Sequence, residues 1–301
     1  MNNIVVGIPT YKRPEMLQKL IISIMDCNTD SSIIGNVTII VEDNDGDRSA
    51  EKTITELKKD YIKYDLQYFN YPIKGISNIR NEIIKNALLY NPDFLIFIDD
   101  DEYTTVEWLN ELVKTIIVNQ ADAARGPVLA ILDKNIPKNI AYWFSREKYP
   151  NNHRLFSIKT GNLILRVNSL KEYDVWFDPR FNITGSGDSY FGIQILKKGA
   201  TIFWAAKAIT YETIPANRAT LSWLIKRNYR LSSTYSYVLK LEKKYLKLIK
   251  KIIVSILYIG FGIVGLILLF LPIEKKYWGI LKLSEGVGGL LGGSYLYKEY
   301  K

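Results

Sequence analysis

Apolar residues recur along this chain in two alternating rhythms. Residues 4–8, 37–41 and 94–98 form short, continuous apolar runs, the pattern of strands covered on both faces. Between them, Met16, Leu17, Leu20, Ile21 and Ile24 fall at helical spacing, as do Ile79, Ile83, Ile84, Ala87 and Leu88, and later Trp108, Leu109, Leu112, Val113, Ile116 and Ile117. Pro14 suits a first helical turn, Asn91-Pro92 stops the second helix, and Thr104 with Glu107 has capping-box spacing ahead of the third. A further strand is expected over residues 66–69. This β-α-β-α rhythm predicts a largely parallel sheet with helices on both faces, whose ligands gather at the carboxyl ends of the strands.

Two of these strands run into acids. The second ends in Glu42-Asp43-Asn44-Asp45, and the run Phe94-Leu95-Ile96-Phe97-Ile98 delivers Asp99-Asp100-Asp101-Glu102. Adjacent carboxylates repel one another and have no reason to follow a buried strand unless something cationic sits at its end. The arrangement points to a divalent metal, and a metal at a sheet edge points to a phosphate-bearing substrate.

From about residue 121 to 222 the rhythm changes. Strands are expected over 123–129 and 162–167, separated by a long loop with Tyr142, Trp143, Phe144 and Tyr149, aromatics that stack on sugar, sit on lipid or pack beneath the loop. Then Gly185-Ser186-Gly187-Asp188 leads into a helix ending near Gly199. Glycines before an acid hold the backbone open, so Asp188 stands either as a plain helix cap or as an acid projecting toward a ligand.

Charge and composition narrow the class. The chain has 301 residues, 48% hydrophobic and 24% charged, enough for one large domain or two small ones. Its net charge of +9 suggests a nucleic-acid binder until it is located. Fourteen Lys/Arg against four Asp/Glu lie in residues 225–301, so the first 224 residues are nearly neutral and nucleic acid is not the expected partner. A lone Cys27 excludes an internal disulfide, and a lone His153 excludes a zinc site built from His and Cys.

The basic surplus brackets an apolar run. Residues 252–271 carry no charge and are long enough to cross a hydrocarbon core as a helix, although a buried core helix passes the same test. Lys240, Lys243, Lys244, Lys247, Lys250 and Lys251 precede it, which predicts a cytoplasmic location for everything before it. Past Pro272, residues 277–297 are Gly-rich and either return through the bilayer or lie at its surface. The amino terminus lacks the features of a signal peptide, so the sequons at Asn36 and Asn182 carry no expected meaning. The expected domains are 1–222 (catalytic), 223–251 (a basic amphipathic juxtamembrane helix) and 252–301 (a membrane anchor).

Taken in order, Ile8-Pro9-Thr10-Tyr11-Lys12-Arg13-Pro14, Val41-Glu42-Asp43-Asn44-Asp45, Ser77-Asn78-Ile79-Arg80-Asn81, Phe97-Ile98-Asp99-Asp100-Asp101-Glu102 and Thr160-Gly161-Asn162 resemble the motifs of family 2 glycosyltransferases. With Gly126-Pro127-Val128, Phe177-Asp178-Pro179-Arg180 and Tyr211-Glu212, the likeness is to the succinoglycan-type exopolysaccharide glucosyltransferases, over roughly residues 4 to 230. The resemblance implies a GT-A fold, a Rossmann-like α/β sheet, that binds a nucleoside diphosphate sugar and transfers the sugar with inversion. It assigns Pro9, Thr10, Tyr11 and Asp43 to base and ribose, with Arg13, Arg80 and Asn81 beside the nucleotide. It gives Asp99 to nucleotide or sugar and, with Asp101, to Mn²⁺ or Mg²⁺; Asp100 is left open between these roles. Asp188 matches the catalytic aspartate, but Gly187 stands where the family usually has Glu. Arg227 and Arg230 occupy the place of a basic helix that holds the departing diphosphate, or they attract a membrane surface.

The expected activity is thus a membrane-anchored, metal-dependent hexosyltransferase, using a UDP-sugar and a lipid-linked or polysaccharide acceptor, with its catalytic domain on the cytoplasmic side. The alternative is a glycosyltransferase-like membrane subunit that binds nucleotide sugar and has lost catalysis. A P-loop ATPase is excluded because no Gly-x-x-x-x-Gly-Lys-Ser/Thr exists.

Overall fold

Eight strands form the central sheet of the computed structural model, which describes residues 1–60, 63–144 and 148–292. In chain order the strands are β1 (Asn2–Thr10), β2 (Ile34–Asp43), β3 (Asp65–Asn70), β4 (Phe94–Phe97), β5 (Glu102–Thr104), β6 (Ala123–Arg125), β7 (Val128–Ile131), β8 (Arg154–Leu155), β9 (Leu163–Arg166), β10 (Ile202–Trp204) and β11 (Thr210–Thr213). The helices are α1 (Pro14–Met25), α2 (Glu51–Asp60), α3 (Ile76–Leu88), α4 (Trp108–Val118), α5 (Lys138–Ala141), α6 (Val167–Tyr173), α7 (Gly187–Lys197), α8 (Leu221–Leu241), α9 (Tyr245–Gly265) and α10 (Trp278–Leu291). The large sheet has the order β3-β2-β1-β4-β9-β6-β10-β8, and the second sheet has the order β5-β11-β7.

Strands β3, β2, β1 and β4 are parallel, as the alternating rhythm predicts. Strand β9 runs antiparallel to both β4 and β6. Both faces of β1 are buried, which is why its sequence is a continuous apolar run. Leu17, Leu20, Ile21 and Ile24 of α1 cover one face together with Trp108, Leu109 and Leu112 of α4. Ile83, Ile84 and Ala87 of α3 cover the other with Phe177 and Phe191. Gly7 lets β1 and α3 meet, since a Cβ there would stand 2.2 Å from Ile83 Cγ2. Asn162, fully buried, accepts a hydrogen bond from Trp108 Nε1 (2.8 Å) and donates to Pro127 O (3.1 Å) and Ala208 O (2.6 Å), tying three segments to the end of β9.

Several sequence expectations change. Thr104 does not cap α4: it lies in β5, and its hydroxyl donates to Ser23 O (3.0 Å), while Glu107 accepts from Asn28 and Asn110. The strand expected over 123–129 breaks at Gly126-Pro127 into β6 and β7, because a Cβ at Gly126 would lie 2.0 Å from Ala208 O and proline has no N–H to donate. Helix α2, whose only buried residues are Ile54 and Leu57, has too few apolar positions to announce itself. Of the loop aromatics, Phe144 is buried and stacks on Trp223, and Tyr149 stacks on His153, so these two pack within the protein.

Two compact units emerge: Met1–Leu129 with Arg146–Glu212, and Ala130–Ser145 with Thr213–Lys301. The second contains α5, α8, α9 and α10. Its apolar cluster includes Ile140, Phe144, Ile214, Ala219, Leu224 and Leu281. The 26-residue stretch Tyr245–Phe270, α9 with the turn that follows it, is long and apolar enough to cross a membrane, its most apolar 18 residues having a mean hydropathy of 2.8. Of the segment expected over 277–297, residues 293–297 lie outside the described residues.

Glu42 carries a pH prediction. It is 1% exposed at the end of β2 beside Asn86, which donates to it; burial, reinforced by Glu82, pushes its carboxyl up to about 7. A folded-state pKa above the unfolded value means that stability is full below the unfolded pKa, near 4.5, and falls as the pH rises through about 7. Glu42→Gln keeps the acceptor for Asn86 and removes the charge. Thermal unfolding should show the variant more stable than the parent at pH 8, by roughly 2–3 kcal/mol, and nearly equal to it at pH 4.

Candidate active site

The acids that follow β4 meet two arginines. Asp99 and the buried Asp100 follow β4 at its carboxyl end, next to the carboxyl end of β1. Thr10, the last residue of β1, donates its hydroxyl to Asp100 (2.9 Å). Arg13, just ahead of α1, donates Nη1 to both Asp100 (3.0 Å) and Asp101 (3.1 Å). Arg80 of α3 reaches across from the other side, Nη2 to Asp99 at 3.2 Å, with its guanidinium over the Phe177 ring. Burial pushes the Asp100 carboxyl up to about 6, the Arg13 charge opposing it and Asp101 adding to it.

Glu102, the fourth acid of the run, was not among the candidates. It is buried in β5 opposite Glu212 of β11 and accepts from the Thr210 hydroxyl (2.7 Å). Burial, reinforced by the Asp99 charge, holds its carboxyl well above the usual carboxylate range. Its signal in the sequence was adjacency to the three aspartates; its burial depends on pairing with a strand more than a hundred residues away. Gly161 completes this corner. A Cβ there would lie 2.4 Å from Glu102 Oε1 and 3.6 Å from Asp99 Oδ2, so any other residue would fill the space between the acids.

Three aspartates gathered around Arg13 and Arg80 offer carboxylate oxygens that suit a cation. Among the described residues no three His, Cys, Asp or Glu side chains converge as a self-sufficient metal cage. Binding by one or two carboxylates, completed by substrate phosphates, is the mode typical of Mg²⁺ and open to Mn²⁺. Asp99 and Asp101 are the residues that would hold it.

Other expected site residues take different places. Pro9 is buried in β1 opposite Glu42. Tyr11 is exposed, with Lys12 and Lys74 near its ring. Asp43 is fully buried: one oxygen accepts from the Asp45 N–H (2.9 Å), the other from the Ala50 N–H (2.9 Å) and the Tyr68 hydroxyl (3.1 Å). Its carboxylate therefore shapes the loop after β2. Arg227 and Arg230 lie on α8 in the second unit, Arg227 over the Trp223 ring.

Asn81 does something the sequence did not disclose. Its amide donates to Phe177 O (2.9 Å) and accepts from the Phe177 N–H (2.9 Å), clasping the backbone ahead of the Asp188 segment. Asn182 returns the clasp, accepting from the N–H groups of Ser77 (3.0 Å) and Asn78 (3.1 Å) and so capping α3. Beyond these ties Asp188 sits in the first turn of α7, after Ser186 in the left-handed region (φ 64°). Ser186, not Asp188, holds the cap position, so the plain-cap reading of Asp188 is set aside. Asp188 accepts from the Ser189 N–H (2.7 Å). Gly187 packs inward: a Cβ there would stand 2.8 Å from Ser77 Oγ and 3.4 Å from Phe181 Cβ, so an acid in its place would have to push the Ser77 hydroxyl aside.

A mixed sheet of this order, with acids clamped by arginines at its carboxyl edge, defines an α/β transferase of the GT-A type. The Glycosyl transferase family 2 profile matches residues 5–172, and the chain belongs to that family. The succinoglycan biosynthesis protein ExoM of Rhizobium meliloti (strain 1021) is 30% identical over 240 residues, 78% of this chain and 74% of that protein. Among solved structures, Staphylococcus aureus TarS 1-349 in complex with UDP-GlcNAc matches with a TM-score of 0.56 at 17% identity, over 79% of this chain and 66% of that one. GalNAc-T7 with UDP, GalNAc and Mn²⁺ matches with a TM-score of 0.57 at 13% identity, over 78% of this chain and 51% of that one. The chain thus spans less than two thirds of these two structures' lengths, and the likeness to them is one of fold.

The Asn81 clasp predicts a split in kinetic constants. Asn81→Ala frees the Phe177 backbone while leaving Arg80 and the aspartates in place. Turnover should fall at least about tenfold with the KM for the donor within about twofold, since misplacement by an ångström costs up to about a hundredfold in rate. Steady-state kinetics with a varied sugar nucleotide checks this.

Proposed function

We propose that this glycosyltransferase moves a sugar, with inversion, from a UDP-sugar to a lipid-linked or polysaccharide acceptor in cell-surface glycan synthesis, working at the cytoplasmic face of a membrane. The observation that carries the reading is the aspartate run held by Arg13 and Arg80, with α3, the helix of Arg80, also clasping the segment that leads to Asp188. The relation to an exopolysaccharide biosynthesis protein supports the acceptor class, and the bound UDP-GlcNAc and UDP of the two solved structures support the donor class. The apolar stretch Tyr245–Phe270 and the lysines ahead of it support membrane attachment.

In this reading Arg13 and Arg80 hold the aspartates apart and oriented despite their mutual repulsion. Thr10 fixes the rotamer of Asp100, and Tyr11 offers an exposed ring on which a base can stack. A divalent ion, when bound by Asp99 and Asp101, supplies Lewis-acid neutralisation of the charge that builds on the leaving diphosphate. Asp188 takes the proton of the acceptor hydroxyl; a single inverting displacement needs one such base. Arg227 and Arg230 are proposed partners of the departing diphosphate.

A subunit that binds nucleotide sugar without turnover is the competing reading, and it rests on Gly187 alone. Release of UDP from UDP-glucose, UDP-galactose and UDP-GlcNAc by the full chain, with and without Mn²⁺ and a membrane extract as acceptor source, decides between them. Asp188→Asn should lower the rate by about 10²- to 10⁴-fold. Asp101→Asn should abolish the response to Mn²⁺. Turnover unchanged by Asp188→Asn removes that residue from catalysis, and no turnover with any donor leaves the binding-subunit reading standing.

A further inference from the structure

We infer that α9 does not cross a bilayer: it lies in the plane of an anionic membrane, sunk into one leaflet by its exposed apolar face, with both of its ends on the same side. The inference rests on the membrane-anchored reading above. Length alone permits a span, because 26 helical residues reach about 39 Å and a hydrocarbon core is about 30 Å thick. Packing within the second unit excludes it.

Helices α9 and α10 form an antiparallel pair with backbones in contact. A Cβ at Gly286 would stand 2.6 Å from Ser255 O, one at Gly262 2.9 Å from Gly279 O, and one at Gly279 2.3 Å from the carbonyl carbon of Gly265. The pair therefore runs side by side along most of the apolar stretch. Helix α10 is in turn fixed to α8, running parallel to it: Ser284 Oγ donates to Ile225 O (2.6 Å), a Cβ at Gly288 would meet Tyr229 O at 2.3 Å, and Ser236 Oγ donates to Gly289 O (2.7 Å). At the far end of α9, the start of α10 joins a different neighbour. Leu281 shares an apolar cluster with Ile140 and Phe144, and Lys275 Nζ lies over the Tyr142 ring at 5.7 Å.

A membrane-spanning α9 would carry these neighbours with it. Helix α8 brings Lys226, Arg227 and Arg230, and α5 with the segment before it brings Asp133, Lys134 and Lys138. Neither can share the depth of a hydrocarbon core without stranding charge there. Laid flat, α9 has α10 and α8 stacked above it and lipid below. The face left open is apolar: Ile253, Ile256, Phe261, Val264, Ile267 and Phe270 are each more than half exposed. Cations stand at both ends, Lys247 and Lys250 at the start and Lys275 and Lys276 beyond the finish, where a flat helix presents all four to headgroups of one leaflet.

Single cysteines test the orientation in the full chain, whose own Cys27 is buried. Lys247→Cys and Glu274→Cys are expressed separately, and inside-out membrane vesicles and intact spheroplasts are treated with a membrane-impermeant maleimide. Both cysteines should label in the vesicles and neither in the spheroplasts. Labelling of the two from opposite sides overturns the flat placement alone and leaves the UDP-release assay unaffected. Recovery of the protein in the soluble fraction overturns both this placement and the membrane-anchored reading. As a second measurement, cosedimentation with phosphatidylglycerol-containing vesicles should exceed that with pure phosphatidylcholine at least tenfold and fall at least tenfold in Val264→Glu/Ile267→Glu. Equal binding to both vesicle types and no loss in the double variant overturn the assigned face.

Discussion

Everything at the candidate site depends on keeping three aspartates together at the end of one buried strand. Their repulsion is opposed from two sides, by Arg13 at the start of α1 and Arg80 in α3. These arginines stand on the helices that cover opposite faces of the sheet. The two apolar layers are therefore also the supports of the two cations, and the strand order that places β1 beside β4 brings Thr10 to Asp100. A buried charge with its partner removed is far more costly than one paired, so the fold and the site stand or fall together.

The same coupling explains the loop that leads to Asp188. A segment of irregular backbone is soft unless its N–H and C=O groups find partners. Here α3 supplies them, through Asn81 to the Phe177 backbone and through its own first N–H groups to Asn182. One helix thus holds Asp99 by its arginine and the loop ahead of α7 by its amides. Gly187, a departure from the family pattern, sits where a side chain would press on Ser77 and Phe181, so that junction is close-packed by its own logic.

Much of this was legible in the residues. The parallel half of the sheet and the helices α1, α3 and α4 were readable because each buries a regular apolar face. The acid run was readable because like charges in sequence demand a cation. Other features were not, for definite reasons. Helix α2 buries two side chains and leaves a weak periodic signal. Thr104 has the spacing of a cap, but Ser23 offers its side chain a better partner. Asp43 ends β2 as an acid, and only the fold shows that its oxygens accept from the loop that follows it and from Tyr68.

By itself the sequence determined the family, the alternation of strands and helices, the position of the acids at a strand end and the apolar stretch near the carboxyl terminus, because each is written in local composition and period. Tertiary structure alone decided which charges meet. Arg13 to Asp100, Arg80 to Asp99, Glu102 to Thr210 and Asn81 to Phe177 join residues from 19 to 108 positions apart. It also decided what surrounds α9, since hydropathy records how apolar a helix is and packing alone fixes which polar segments must share its depth. Both follow from the same physics: burial and charge pairing are properties of neighbours in space, and a chain names its neighbours only along its length.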